Sequence, residues 1–68
     1  MKPHELRLAQ EHVKMVRHLR NLTAFIDSPE RFSQIDRASR ALMRRQATLL
    51  EEYISVLEQR MQILNIPL

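Results

Sequence analysis

The chain has 68 residues, 11 Lys and Arg against 8 Asp and Glu, three His, and neither Cys nor Gly. A core this small rarely supplies more than about 3–5 kcal/mol, so a lone domain of this length needs a staple or a partner. With no cysteine, disulfides and thiolate metal sites are excluded, and oligomerisation is the remaining staple. No apolar run approaches the roughly 18 residues of a membrane span and no signal-peptide core is present, so a cytoplasmic protein is expected. The net charge of +3 fits a solvated surface or an anionic partner. No basic tail and no Arg/aromatic interleaving favours extended nucleic-acid tracking.

Lys2-Pro3-His4-Glu5 reads as a helix start, because Pro in a first turn lacks only an N–H that has no partner there. Glu5 sits where the helix dipole favours an anion. The pattern predicts a helix over about residues 4–26. Its apolar line is Leu8, Met15, Leu19, Leu22 and Ile26, widened by Leu6, Ala9, Val13 and Val16. The opposite side carries Arg7, Gln10, Lys14, Arg17 and Asn21 and has no acid. His4 and His12 flank Leu8 by four residues each, and His18 lies at the edge of that stripe. The two are roughly 12 Å apart along the axis, too far to share a metal ion. Each histidine reads either as satisfied by a neighbour or as a contact to phosphate or base.

Asp27-Ser28-Pro29-Glu30 breaks the helix, since the residue before Pro avoids the αR region. Asp27 or Ser28 can cap a short turn or helix over about residues 29–35. Phe32 and Ile35 are expected to face inward there and plug the end of a hairpin. A short connection of this kind makes the two long helices antiparallel neighbours.

The long helix is predicted over about residues 36–64. Every seventh residue gives one apolar row, Leu42, Leu49, Val56 and Ile63. A second row holds Met43, Leu50, Leu57 and Leu64 with Ala47, Ile54 and Met61. Between them runs the column Ser39, Gln46, Tyr53 and Arg60. At about 100° per residue the apolar arc is too wide for one partner helix. One row can pack on the first helix, and the other needs a second subunit. Gln46 and Tyr53 are then candidates for fixing register at that interface. Arg60, a charge within an apolar arc, must snorkel out or be paired, with Glu5 or Glu11 of the first helix or a glutamate of another subunit, or else hold an anionic ligand. Arg37, Arg40, Arg44 and Arg45 make the first half basic, while Glu51, Glu52 and Glu58 make the second half acidic. This opposes the dipole preference, so capping does not explain the arginines. Asn65-Ile66-Pro67-Leu68 ends the helix. No catalytic constellation, phosphate loop or metal-ligand set is present, so no enzyme and no cofactor is expected.

The ordered set Pro3-His4-x-x-Arg7, Glu11, Leu22-x-x-Phe25-Ile26, Phe32, Leu42-x-Arg44-Arg45-Gln46, Tyr53 and Leu57-x-x-Arg60 resembles a phage family. These are the small helical cyclic-oligonucleotide sponges that counter CBASS immunity. The likeness covers nearly the whole chain. It implies an all-α hairpin that assembles into a helical homo-oligomer, a hexamer in that family. It also implies no catalysis, and sequestration of cyclic di- or trinucleotides such as cyclic GMP-AMP in pockets between subunits. Carried over position by position, the implied ligand-binding residues are His4, Arg7, Lys14, His18 and Arg60. The chain departs from the pattern in having His12 and His18 where lysine is commoner, and no aromatic before His4. Two other readings fit the residues alone: a structural or adaptor helical oligomer, and a small RNA- or DNA-binding bundle using the four arginines. A fainter likeness to all-helical chorismate mutases is opposed by the missing helix and the lack of an inward mid-helix lysine.

Overall fold

A computed structural model describes all 68 residues. Three helices follow one another, α1 (Pro3–Ile26), α2 (Pro29–Phe32) and α3 (Arg37–Ile63), and there is no strand. The long helices α1 and α3 form the expected antiparallel hairpin. α1 starts at Pro3 with the amides of Glu5 and Leu6 both donating to the Lys2 carbonyl at 3.0 Å. The connecting segment is part helix and part turn. The helix ends at Phe32, and Ser33 to Ile35 continue as turns in which Gln34 and Ile35 donate to the Arg31 and Phe32 carbonyls at 3.3 and 3.1 Å. Ser28 is its N-cap residue but makes no capping bond; its Oγ instead accepts from Arg31 Nε at 3.3 Å.

The bend is closed by aromatic packing. Phe32 is buried, and Phe25 meets it edge-on with ring centroids 6.3 Å apart. The Arg44 guanidinium lies 4.9 Å from the Phe32 ring centroid and that of Arg31 lies 5.2 Å from Phe25. Such cation–π contacts contribute roughly 0.5–1 kcal/mol at exposed sites. One arginine of the basic half of α3 is therefore occupied within the fold. Ile35 is half-buried beneath the bend.

α3 opens with a side-chain cap: Asp36 Oδ2 accepts from the Ser39 amide at 2.9 Å. That bond and the Ser39 hydroxyl hold the Asp36 carboxyl below its usual range. The far end of α3 closes with Asn65 in the left-handed region at φ 57°. The Ile66 amide donates to the Met61 carbonyl at 2.9 Å and that of Asn65 to Gln62 at 3.1 Å. This pair of bonds is the Schellman arrangement, which usually employs glycine; Asn is the substitute that tolerates the conformation best. Its effect is to fold Ile66 back onto the helix it has just left.

The core follows from these ends. Leu8, Leu57, Met61 and Ile66 form one buried cluster, with Ala9 and Met15 against it. Ala47 and Ile54 are buried further along α3. The second apolar row of α3 therefore packs on α1, as expected of one row, though Leu64 at its end stays 39% exposed. The first row faces out, with Leu42, Leu49, Val56 and Ile63 exposed by 67, 51, 54 and 79%. On α1, Leu6 and Val13 do not widen the packed face; both are exposed, because the hairpin has one layer and nothing covers their side.

The hairpin is thin. It measures 45 × 15 × 15 Å with a radius of gyration of 14.8 Å, against about 11 Å for a compact domain of this length. Its accessible surface is 5345 Å², while a compact monomer of this mass exposes about 4500 Å². No helix is long and apolar enough to cross a membrane.

Candidate functional site

Two polar ties cross from α1 to α3, one on each flank of the hairpin. On the first flank the Tyr53 hydroxyl donates to Glu11 Oε2. That hydrogen bond, then desolvation and the charge of Glu11, raise the Tyr53 phenol above its ordinary value, while Arg60 opposes the rise. On the second flank His12 Nε2 lies 2.9 Å from Glu58 Oε2, with the imidazole largely buried. This is the one ion pair within the hairpin, and it forms when His12 is protonated. The sequence offered His12 either a neighbour or a ligand; the fold gives it a neighbour.

The five expected ligand residues are all exposed. Helical periodicity places His4, Glu11 and His18 in one seven-residue column of α1, with Arg7 and Lys14 in the next column outward. These columns run along the first flank, beside Tyr53. Arg60, seven residues beyond Tyr53, shares the flank and acts on the Tyr53 hydroxyl through its charge. Neither Glu5 nor Glu11 pairs with Arg60; Glu11 is bonded to Tyr53 instead. The guanidinium reaches solvent with no carboxylate partner in its own chain.

Gln46 and Tyr53 lie within a shallow groove of about 280 Å³ whose other walls are Met15, Leu49 and Leu50. It borders the exposed Leu42–Ile63 row through Leu49. Lys14 instead lines an open concavity of about 560 Å³ with Ala9, Gln10, Val13 and Arg17. A neighbouring groove of about 340 Å³ adds His12, Val16, Arg20 and Leu68 to Val13 and Arg17. No concavity of the hairpin holds more than one of His4, Arg7, Lys14, His18 and Arg60. The fold thus aligns these cations along one flank but does not gather them into a pocket. No three His, Asp or Glu side chains converge as a metal site would need.

Arg17, expected on the cationic side of α1, and Arg20, which no sequence pattern singles out, line concave ground. Glu11, expected as a partner of Arg60, ties to Tyr53 instead, and Glu58, expected only as part of the acidic half of α3, ties to His12. Both ties depend on the axial stagger of α1 against α3, which periodicity within one helix does not report.

Chemically, the first flank offers charge-assisted donors for an anion beside uncovered apolar surface. Comparison with curated proteins and with solved structures gives no match. A family model does match, described as Sequestin and spanning residues 2–63. That span takes in both long helices, the bend and every candidate residue of the flank, and the chain belongs to the Sequestin family.

Proposed function

We propose that this protein is a non-catalytic binding protein that sequesters cyclic di- or trinucleotide immune messengers between copies of itself in the cytoplasm of a bacterial host. The observation that carries the reading is the cationic flank. Arg60 has no acidic partner, and Arg7, Lys14 and His18 run parallel to it beside an apolar row that nothing covers. Membership of a family named for sequestering supports the same direction. A cyclic dinucleotide carries two phosphate charges on a rigid ring. Guanidinium–phosphate bonds are the stronger, charge-assisted kind, and base stacking adds roughly 1–3 kcal/mol per base by analogy with single-strand binding. A two-fold assembly offers each residue twice, which suits such a ring.

Titration calorimetry against a panel of cyclic di- and trinucleotides tests this. Sub-micromolar binding of at least one is expected, with the ligand recovered intact after denaturation. Arg7→Ala and Arg60→Ala should each weaken binding and leave the oligomer in place. No binding across the panel refutes the reading and leaves a structural oligomer. Retardation of RNA by the Arg37, Arg40 and Arg45 face would favour a nucleic-acid bundle instead. That alternative has lost Arg44, which is engaged on Phe32.

A further inference from the structure

We infer that the first flank selects its ligand by the base, guanine before the others: the base lies against the Tyr53 ring in the groove beside it, and its edge donates to the Glu11 carboxylate. The inference rests on the proposed function and adds to it which base is preferred and which residues read it.

The Tyr53 ring is the one aromatic surface left for a base. The chain has two Phe, one Tyr and no Trp. Phe25 and Phe32 are engaged with each other and with Arg31 and Arg44 at the bend. Tyr53 is 44% exposed and forms a wall of the groove that Met15, Gln46, Leu49 and Leu50 complete. At about 280 Å³ that groove falls below the roughly 300–1,000 Å³ of a pocket enclosing a whole drug-sized ligand. It suits one flat base and not an entire cyclic dinucleotide. Unpaired bases are recognised by stacking on aromatic rings and by hydrogen bonds to their edges, and such contacts work best when the ring is held in place. The hydroxyl bond to Glu11 holds this one.

The stagger of the hairpin sets what surrounds the ring. Glu11 and Tyr53 are bonded across helices that run antiparallel. Seven residues away on each helix, about 10.5 Å, His18 comes opposite Gln46 in one direction and His4 opposite Arg60 in the other. The groove lies on the Gln46 side. Its α1 wall, Met15, has Lys14 just before it and His18 three residues after it. Cations therefore border the base site on both sides of the ring, where charge-assisted bonds to a phosphate are available.

Glu11 gives the flank its selectivity. It is the one acid in the α1 columns that carry His4, Arg7, Lys14 and His18. A carboxylate there repels the phosphates its neighbours attract, so its place calls for a different kind of partner. An ionised carboxylate has about four lone-pair positions, and the Tyr53 hydroxyl fills one of them, on Oε2. The phenol, raised above its ordinary value, keeps its proton at neutral pH and goes on donating. The remaining positions are open to a base. Guanine alone among the common bases sets two N–H donors side by side on its Watson–Crick edge, which the two oxygens of a carboxylate accept together. Adenine and cytosine set an amino donor beside a ring nitrogen that is itself an acceptor, and uracil has a single N–H between two carbonyls. Each of these turns a lone pair toward the carboxylate.

Cyclic di-GMP, cyclic di-AMP and cyclic di-UMP share their phosphates and differ in base. Calorimetry on the full chain should find cyclic di-GMP bound roughly 5- to 150-fold more tightly than either of the others, the discrimination of a bidentate contact. Glu11→Gln keeps the size of the side chain and a carbonyl acceptor for Tyr53, but sets an amide donor against the base, and it should erase that preference. Arg60→Ala should weaken all three ligands by a common factor. Since Tyr53 is the only tyrosine and there is no tryptophan, tyrosine fluorescence reads this ring alone. Corrected for nucleotide absorption, it should be quenched in step with cyclic di-GMP occupancy. That reading needs no variant, so it decides the matter even where Glu11→Gln unfolds the hairpin by circular dichroism. Equal affinity for the three, a preference for another base, an equal loss for all three in folded Glu11→Gln, or fluorescence unmoved by bound ligand overturns this inference and leaves the proposed function standing. No binding of any cyclic nucleotide overturns both.

Discussion

Leu57 and Val56 are neighbours in sequence with opposite surroundings, and replacing each by alanine separates the fold from the assembly. Leu57 is 1% exposed and packs with Leu8, Met61 and Ile66. Leu→Ala in such a site costs about 2–5 kcal/mol, the lower part of the range applying where neighbours can collapse. A one-layer hairpin can collapse, so about 3 kcal/mol is expected. At roughly 4–8 °C per kcal/mol for a domain of this size, the melting temperature should fall by about 12–24 °C. Val56 is 54% exposed and touches the opposite side. Val56→Ala should leave the hairpin intact and act on self-association, which makes a melting temperature depend on concentration. The assay is thermal melting by circular dichroism at two protein concentrations about a hundredfold apart. Leu57→Ala should lower the melting temperature at both. Val56→Ala should lower it mainly at the higher concentration, shrinking the gap between them. A Leu57→Ala shift below about 4 °C, or indistinguishable behaviour of the two variants, would refute this assignment of the two rows.

Other consequences can be checked separately. Asn65→Ala keeps the β-carbon but loses the short polar side chain that lets Asn tolerate the left-handed region, so a loss of up to about 1–2 kcal/mol is expected, while Asn65→Gly should match or exceed the original in a urea melt. The Tyr53 phenol is raised in the folded state by Glu11, so its contribution is whole below the ordinary tyrosine value and is lost as pH climbs through the higher folded value. Ultraviolet titration should find Tyr53 ionising above the free phenol, and Glu11→Gln should bring it back down. Asp36 is held low by its cap, so its contribution is present above the ordinary carboxylate value and is lost as pH falls through the lowered one; Asp36→Asn should flatten that acid limb of the stability curve.

Much of the fold was legible because it rests on local chemistry. Ser28-Pro29 ends one helix and starts the reversal, and the sevenfold rows announce a long helix with two apolar sides. The choice of row was not legible. Both rows are comparably apolar, and the decision lies in how α1 meets α3 and in Ile66 returning to the core. Asn65 was the available signal for that return, since Asn is the residue other than Gly that most readily takes a positive φ. The expected turn or helix over about residues 29–35 divides at Phe32 into both, because little separates a last helical turn from the turns that follow it. At the site, the sequence singled out Arg60 as a charge out of place, and the fold leaves it without an acid. It placed Tyr53 inside the arc, where the fold has it at the border between the packed row and the open one. The link from Tyr53 to Glu11 needs the stagger between two helices, which is a property of packing. The five ligand residues came from resemblance and periodicity, and periodicity supplies a flank, not a pocket.

The most direct test of the account is the mass of the protein in solution by sedimentation equilibrium at micromolar concentration. A hairpin with a whole apolar row in water should sediment as a discrete multiple of its 8.1 kDa chain. A stable, folded species of one chain's mass would contradict it.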